Sequence, residues 1–420
     1  MTTQLNEILG KAFHAFQGGN YSQAEMLLKS AIQLAPNHFD ALHLLAVVLA
    51  SQAKHLEAIE EYGHALLLNP DSDSALSNLS SSLNALGQNA EAIVVMKKAL
   101  AINPGMFQAW FNAGNILSDL GEYQEALLHY AQAEALKPDF YEAYYNHAKA
   151  LVELGQLEES LAYFEKSLSI NSNYLNCIVD YGAALKRVRR FDDAITQYDL
   201  ALSIKPDLVE AWLNKGNTLH SLKRYPEALE HYNHALQIEP TSAEIWLNKG
   251  ASLSALMQYQ DAIDCYDKAI SLNPKHAQAW FNKGVAFNDL KEYPDALASY
   301  QKANDIGVHI DWMKGASLHT QMKMCLWDRF EQKNTILSDD IRAKKKVTEP
   351  FLVLALTDDP ALHQLAAQTY AQEKFPANLS LGPIPKRAPA SKIRIGYFSA
   401  DLNNHAVAIL TAQLFETHRR

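Results

Sequence analysis

Six asparagines, Asn78, Asn112, Asn146, Asn214, Asn248 and Asn282, fall on one beat of a 34-residue spacing, with Asp180 on the missing beat and Leu44 on the beat before Asn78. A carboxamide offers two donors and an acceptor, so a ladder of them along a groove can clamp an extended peptide backbone without reading its side chains. The same residue can instead bond to a neighbouring helix, and motif grounds leave both roles open for any one asparagine. The run Asn214, Asn248, Asn282 favours the ligand role. Other chemistry is thin. His231 and His234 stand at helical spacing without Cys or carboxylate partners for a metal, and neither a Gly-rich phosphate loop nor paired catalytic carboxylates occur. No metal or cofactor is expected to be held by this chain.

The elements that must carry the ladder repeat with the same period. Pro36, Pro70, Pro104, Pro138, Pro206, Pro240 and Pro274 share one register, with Ser172 and Val308 on the two other beats. One alanine column runs from Ala24 to Ala296 and a second from Ala31 to Ala303, interrupted only by Ser160 and Ser167. Inside one unit, Ala211, Trp212, Gly216 and Leu219 mark one apolar helical stripe and Ala228, Leu229, Tyr232, Ala235 and Leu236 another. Each unit therefore reads as a helix hairpin, opened on its second helix by residues such as Tyr225 and ended by proline, which cannot continue a helix. Gly114, Gly182, Gly216, Gly250 and Gly284 sit where the two helices meet, where a missing Cβ would allow the backbones to approach closely. Stacked hairpins of one length make a solenoid.

The pattern Trp212-Leu213-Asn214-Lys215-Gly216, then Tyr225-Pro226-Glu227-Ala228, then Tyr232, Ala235 and Pro240, resembles the tetratricopeptide repeat. It covers residues 3–308 as nine units, the first and fifth degraded, since Gly10 and Ala12 replace Asn and Gly while Ser160 and Ser167 replace Ala. The resemblance implies an all-α right-handed superhelix whose concave groove binds proteins or extended peptides. Chaperone-tail clamps of that family need Lys and Arg at set groove positions. Here Gln108, Glu142, Asn176 and Glu210 stand two residues before the helical anchor, which would repel an acidic tail.

Composition narrows the class of partner. A net charge of −10 over 420 residues argues against nucleic acid, whose phosphates require clustered Lys and Arg, and the one basic run, Arg342 to Lys346, reads as a solvated helix face. Cys177, Cys265 and Cys325 lie far apart and cannot all pair, which fits a reducing compartment. No stretch has the length to cross a bilayer and the first sixteen residues lack a secretory core, so a cytoplasmic location is expected. The Asn78 and Asn378 sequons would then be idle. Self-association through the repeats is left open.

Beyond Val308 the residue columns lapse. Junction helices are expected over 309–375, at Ala316–Phe330, Phe330–Lys346, Phe351–Leu356 and Pro360–Glu373, followed by a proline-rich linker at 376–391. Residues Lys392 to Phe398 alternate as a strand does, Ser399 to Asn404 form a polar loop and Ala406 to Thr417 a helix, the opening of a parallel α/β unit. The run from Ile393 to His405, with Met324-Cys325-Leu326-Trp327-Asp328 before it, resembles the start of the catalytic region in family 41 glycosyltransferases, the protein O-linked N-acetylglucosamine transferases and SPINDLY-like relatives. That resemblance implies the first strand and helix of a truncated Rossmann-like lobe at 392–420. It also implies His405 as the active-site histidine, a UDP-sugar donor for a complete family member, and an array that recognises acceptor proteins. Ala406 and Ile409 depart from the family pattern, so nothing else carries over from that helix. With the donor site of the family absent, the 420-residue chain alone is expected neither to bind the nucleotide sugar nor to transfer it. The alternative is a tetratricopeptide scaffold without catalytic activity.

Overall fold

The computed structural model describes residues 2–374, and every element among them is a helix. The first three hairpins pair α1 (Thr2–Gln17) with α2 (Tyr21–Leu34), α3 (Phe39–Ser51) with α4 (His55–Leu68), and α5 (Asp73–Ala85) with α6 (Asn89–Ile102). The middle three pair α7 (Phe107–Asp119) with α8 (Tyr123–Leu136), α9 (Tyr141–Glu153) with α10 (Leu157–Ile170), and α11 (Leu175–Arg187) with α12 (Phe191–Ile204). The last three pair α13 (Val209–Ser221) with α14 (Tyr225–Ile238), α15 (Ala243–Ala255) with α16 (Tyr259–Leu272), and α17 (Ala277–Asp289) with α18 (Tyr293–Asp305). Each helix packs on the next, and in addition each first helix touches the first helix of the following unit. A curved stack has its shortest spacing on the inside, so the first helices line the concave face.

The small-residue columns serve a different contact from the one the sequence suggests. A Cβ placed on Gly114, Gly182, Gly216, Gly250 or Gly284 would lie 2.5–2.7 Å from the ring of Tyr130, Tyr198, Tyr232, Tyr266 or Tyr300. The glycine thus admits an aromatic ring from the second helix rather than a neighbouring backbone. Each of these rings is at most 2% exposed, and a buried ring of this size withdraws about 150–250 Å² from water. The other four units put Ala12, Ala46, Ser80 and Ala148 at that position, all buried, with Leu28, Tyr62, Met96 and Phe164 sixteen residues on.

Two further devices keep the period. The indoles of Trp110, Trp212, Trp246 and Trp280 donate to the carbonyls of Pro104, Pro206, Pro240 and Pro274 at 2.8–3.2 Å, tying each first helix to the turn before it. The turn within each hairpin takes a left-handed residue: Gly19, Gly87, Gly121 and Gly155 in four units, but Ala53, Arg189, Lys223, Met257 and Lys291, at φ 59–67°, in the others.

After Val308 the backbone keeps phase for one more helix although the residue columns have lapsed. α19 (Met313–Lys323) ends 34 residues after α17, Cys325 takes the left-handed turn, and the bond from Leu326 N to Gln321 O repeats that from Glu292 N to Phe287 O. The helix expected over 316–330 therefore stops at Lys323, and residues 324–329 form the turn. Phase is lost next: α20 (Phe330–Arg342) starts three residues late, after a left-handed Arg329. α21 (Pro350–Leu356) and α22 (Pro360–Lys374) then close a small core of Leu318, Leu337, Ile341, Val347, Val353 and Leu362 against it. The helix expected over Phe330–Lys346 stops at Arg342, so the rest of the basic run lies in a turn and not on a helix face; Arg342 pairs with Asp339, Lys345 with Asp340 and Lys346 with Glu373. The linker at 376–391, the strand and helix expected at 392–420 and His405 lie outside the described residues.

A left-handed conformation costs an L residue about 1–2 kcal/mol while glycine's extra unfolded-state freedom returns about 0.5–1 kcal/mol of that. Replacing Lys223 or Met257 by Gly is expected to raise stability by about 0.5–1 kcal/mol, read as a higher denaturation midpoint. A lowered midpoint would contradict the assignment of these turns.

Candidate peptide-binding groove

All six column asparagines sit half-buried on the second turn of first helices, but their bonding divides them into three kinds. Asn78 and Asn146 reach the preceding unit: Asn78 Nδ2 lies 3.2 Å from His43 Nε2, and Asn146 Nδ2 donates to Asn115 Oδ1 at 2.8 Å. Asn112 and Asn282 accept from Gln108 and Gln278 one turn back on their own helices. Asn214 and Asn248 have no side-chain partner among the described residues, and Asn248 lines an open pocket of the groove. Asp180, on the column's missing beat, accepts from the Tyr145 hydroxyl at 2.7 Å.

The tyrosines of the hairpin core supply the groove floor. Their rings cross the glycine seat and their hydroxyls emerge among the next residues of the first helix. Tyr130 donates to Asn115 Oδ1 at 2.9 Å and meets Ser118 Oγ at 3.0 Å, Tyr232 donates to Asn217 Oδ1 at 2.8 Å, and Tyr266 meets Ser254 Oγ at 3.1 Å. Burial pushes these phenols well above their ordinary range, so they stay neutral donors. In the sixth unit Ala183 stands where Asn115 and Asn217 stand in theirs, and the buried Tyr198 hydroxyl has no partner.

Charge is unevenly distributed along this floor. A pocket of about 170 Å³ across α9, α11 and α13 holds Tyr145, Asn176, Asp180 and Glu210, and burial together with the Asp180 charge raises the Glu210 carboxyl. One unit further, a pocket of about 200 Å³ across α11, α13 and α15 holds Lys186, Asn217, His220, Ser221, Tyr232 and Asn248. A larger one, about 320 Å³, lies between α7 and α9 with Asn115, Asp119, Asn146 and Lys149 on its wall.

His231 and His234 turn out to be packing groups. His234 stacks on Trp212 with ring centroids 4.7 Å apart, His231 lies 5.4 Å from the same indole, and burial pulls the His231 imidazole down to about 4. Among the described residues no group of three His, Cys, Asp or Glu side chains could hold a metal. Asn115, Asn217 and Lys186 escaped the sequence reading because none forms a column; the only signal of the two asparagines is a place one turn beyond the asparagine column, and Lys186 has none.

The family described as tetratricopeptide repeat matches residues 15–83, 74–103, 141–174, 209–242, 243–276 and 265–298, and the TPR repeat family matches 114–153. The chain is a tetratricopeptide-repeat protein. Among solved structures, YrrB, titled a TPR protein with an unusual peptide-binding site, is 24% identical over 44% of this chain and 95% of its own, with a TM-score of 0.38. MamA is 23% identical over 41% of this chain and 94% of its own at TM-score 0.38, and a MamA fragment from Desulfovibrio magneticus RS-1 gives 22%, 40%, 94% and 0.37. No curated protein matches the sequence.

A satisfied buried hydroxyl contributes about 0.5–1.5 kcal/mol, whereas an unsatisfied one costs about 1–3 kcal/mol. Tyr232→Phe is therefore expected to lower the melting temperature and Tyr198→Phe to raise it or leave it unchanged. Equal losses in the two variants would contradict the account of the groove floor.

Proposed function

We propose that the concave face captures an extended segment of a partner protein, with backbone amides and carbonyls of that segment bonding to carboxamides on the first helices. The observation that carries this reading is the pair Asn214 and Asn248, half-buried on the concave helices with every donor and acceptor of their side chains free among the described residues. A purely structural column would have spent those groups on a neighbouring helix, as Asn146 does on Asn115. A polypeptide backbone presents alternating donors and acceptors, the complement of a carboxamide. In this reading the protein is an interaction scaffold. The free thiols Cys177, Cys265 and Cys325 suit a reducing compartment, so the cytoplasm is the proposed location. Among the described residues no helix is long and apolar enough to cross a membrane.

A narrower reading has the array deliver Ser or Thr of bound proteins to a sugar-transferring region. It rests on the run from Ile393 to His405 with Met324 to Asp328 before it. In that reading the protein made from the whole gene transfers a sugar from a UDP donor to a groove-bound Ser/Thr peptide, and His405→Ala abolishes transfer. Transfer that survives the substitution removes His405 from the chemistry, and no transfer by the unsubstituted protein leaves the scaffold.

The groove is tested with peptides selected from a random phage-displayed library. Replacing Asn214 and Asn248 together by Ala removes two or more hydrogen bonds to the ligand, and is expected to weaken a selected peptide about tenfold while leaving the melting temperature nearly unchanged. Asn146→Ala is expected to lower the melting temperature instead. Unchanged peptide affinity in the double variant would remove the ligand role.

A further inference from the structure

The groove holds an ammonium group with no counter-charge. Lys186 lies half-buried near the end of α11, makes no ion pair or hydrogen bond among the described residues, and lines the pocket shared with α13 and α15. Burial alone pulls the lysine below its ordinary range; burial and, after it, the lysine's charge lower His220, and no carboxylate offsets either. The acidic side chains of the groove floor in this stretch, Asp180 and Glu210, line the separate pocket with Tyr145. Six other lysines of the array meet carboxylates. Lys215 meets Asp199 at 2.6 Å, Lys97 meets Glu125 at 2.7 Å and Lys54 meets Glu25 at 2.8 Å.

The neighbours of Lys186 present donors. Asn217 Oδ1 is occupied by the Tyr232 hydroxyl at 2.8 Å, which leaves its Nδ2 free. Asn248 Nδ2 is free as well, and Ser221 spends its hydroxyl proton on the Asn217 carbonyl at 2.9 Å. His220 Nδ1 is engaged by Ser252 Oγ at 2.8 Å, which leaves Nε2 without a partner. An ammonium and two amide donors converging on about 200 Å³ match an oxyanion in charge, size and bonding.

We propose that this pocket seats one carboxylate side chain, Asp or Glu, of the groove-bound segment, with Lys186 forming the ion pair and Asn217 and Asn248 donating to the carboxylate oxygens. The inference rests on the groove reading above and assigns it a specificity. A backbone carbonyl brings no charge to offset a half-desolvated ammonium, whereas a carboxylate does. A run of acidic residues is disfavoured, because Asp180 and Glu210 would face the next carboxylate one pocket away. The segment that fits therefore carries a single acidic side chain, flanked on the α9 side by a neutral or basic residue.

The test pans a random phage-displayed peptide library on the full chain and measures a selected, fluorescently labelled peptide by anisotropy. Its acidic residue is then changed to the matching amide and to phosphoserine. We expect the change to amide to weaken binding to the unsubstituted protein about tenfold or more, to make no difference to Lys186→Gln, and to be felt again by Lys186→Arg. Lys186→Met, which keeps the apolar stem, repeats the measurement if Lys186→Gln melts early. An acid-to-amide penalty of the same size in the unsubstituted protein and in both charge-removing variants overturns the proposal and leaves the groove reading intact. Tighter binding of phosphoserine than of the acid overturns the carboxylate assignment. Failure to select any peptide overturns the groove reading and this inference with it.

Discussion

The structure depends on an aromatic ring seated on a residue without a side chain. In five units a tyrosine of the second helix lies over a glycine of the first, at a distance where a single added carbon would collide with the ring. That contact sets how closely the two helices of a hairpin approach. It also has a directional consequence, because a tyrosine passing over the seat carries its hydroxyl through to the concave side. Packing and groove chemistry are thus parts of one contact. The core residue that holds the hairpin closed also supplies the floor on which Asn115 and Asn217 are oriented. Once Asn217 Oδ1 is taken by Tyr232, only the donor end of that carboxamide is left for a ligand.

Phase along the solenoid is maintained by backbone contacts more than by residue identity. The left-handed turn reverses the chain at a constant place whether or not glycine is present, and in four units an indole-to-proline bond adds a tie to the turn before. This explains why α19 and the turn at Cys325 continue the period after the columns have lapsed. The seat is filled there, by Leu318, and α20 starts three residues late. α20 leaves the register of the second helices, and α21 and α22 supply a core of another kind.

Much of the fold was legible because its causes are local and repeated. Proline stops, alanine columns and the glycine register each record a steric condition that recurs in every unit, so chance agreement is ruled out by repetition. The groove was legible in outline only. The asparagine column falls on the first helices, yet which of its members are free is not written in the column itself. Asn146 is spent on Asn115 and Asn78 on His43; Asn214 has Ala183 where Asn115 stands, and Asn248 remains unbonded although Asn217 occupies that place. The glycines were legible as sites of close approach but not as seats for rings, since the tyrosines lie sixteen residues away on the partner helix. Lys186 gave no signal, because what distinguishes it is the absence of a carboxylate in three-dimensional reach.

The central claim is that the concave polar floor is the ligand surface. A crystal structure of the chain with a library-selected peptide tests it most directly. The account predicts an extended chain along the first helices, its backbone bonded to Asn214 and Asn248. A peptide seated on the outer faces of the second helices, with both carboxamides left facing solvent, would contradict it.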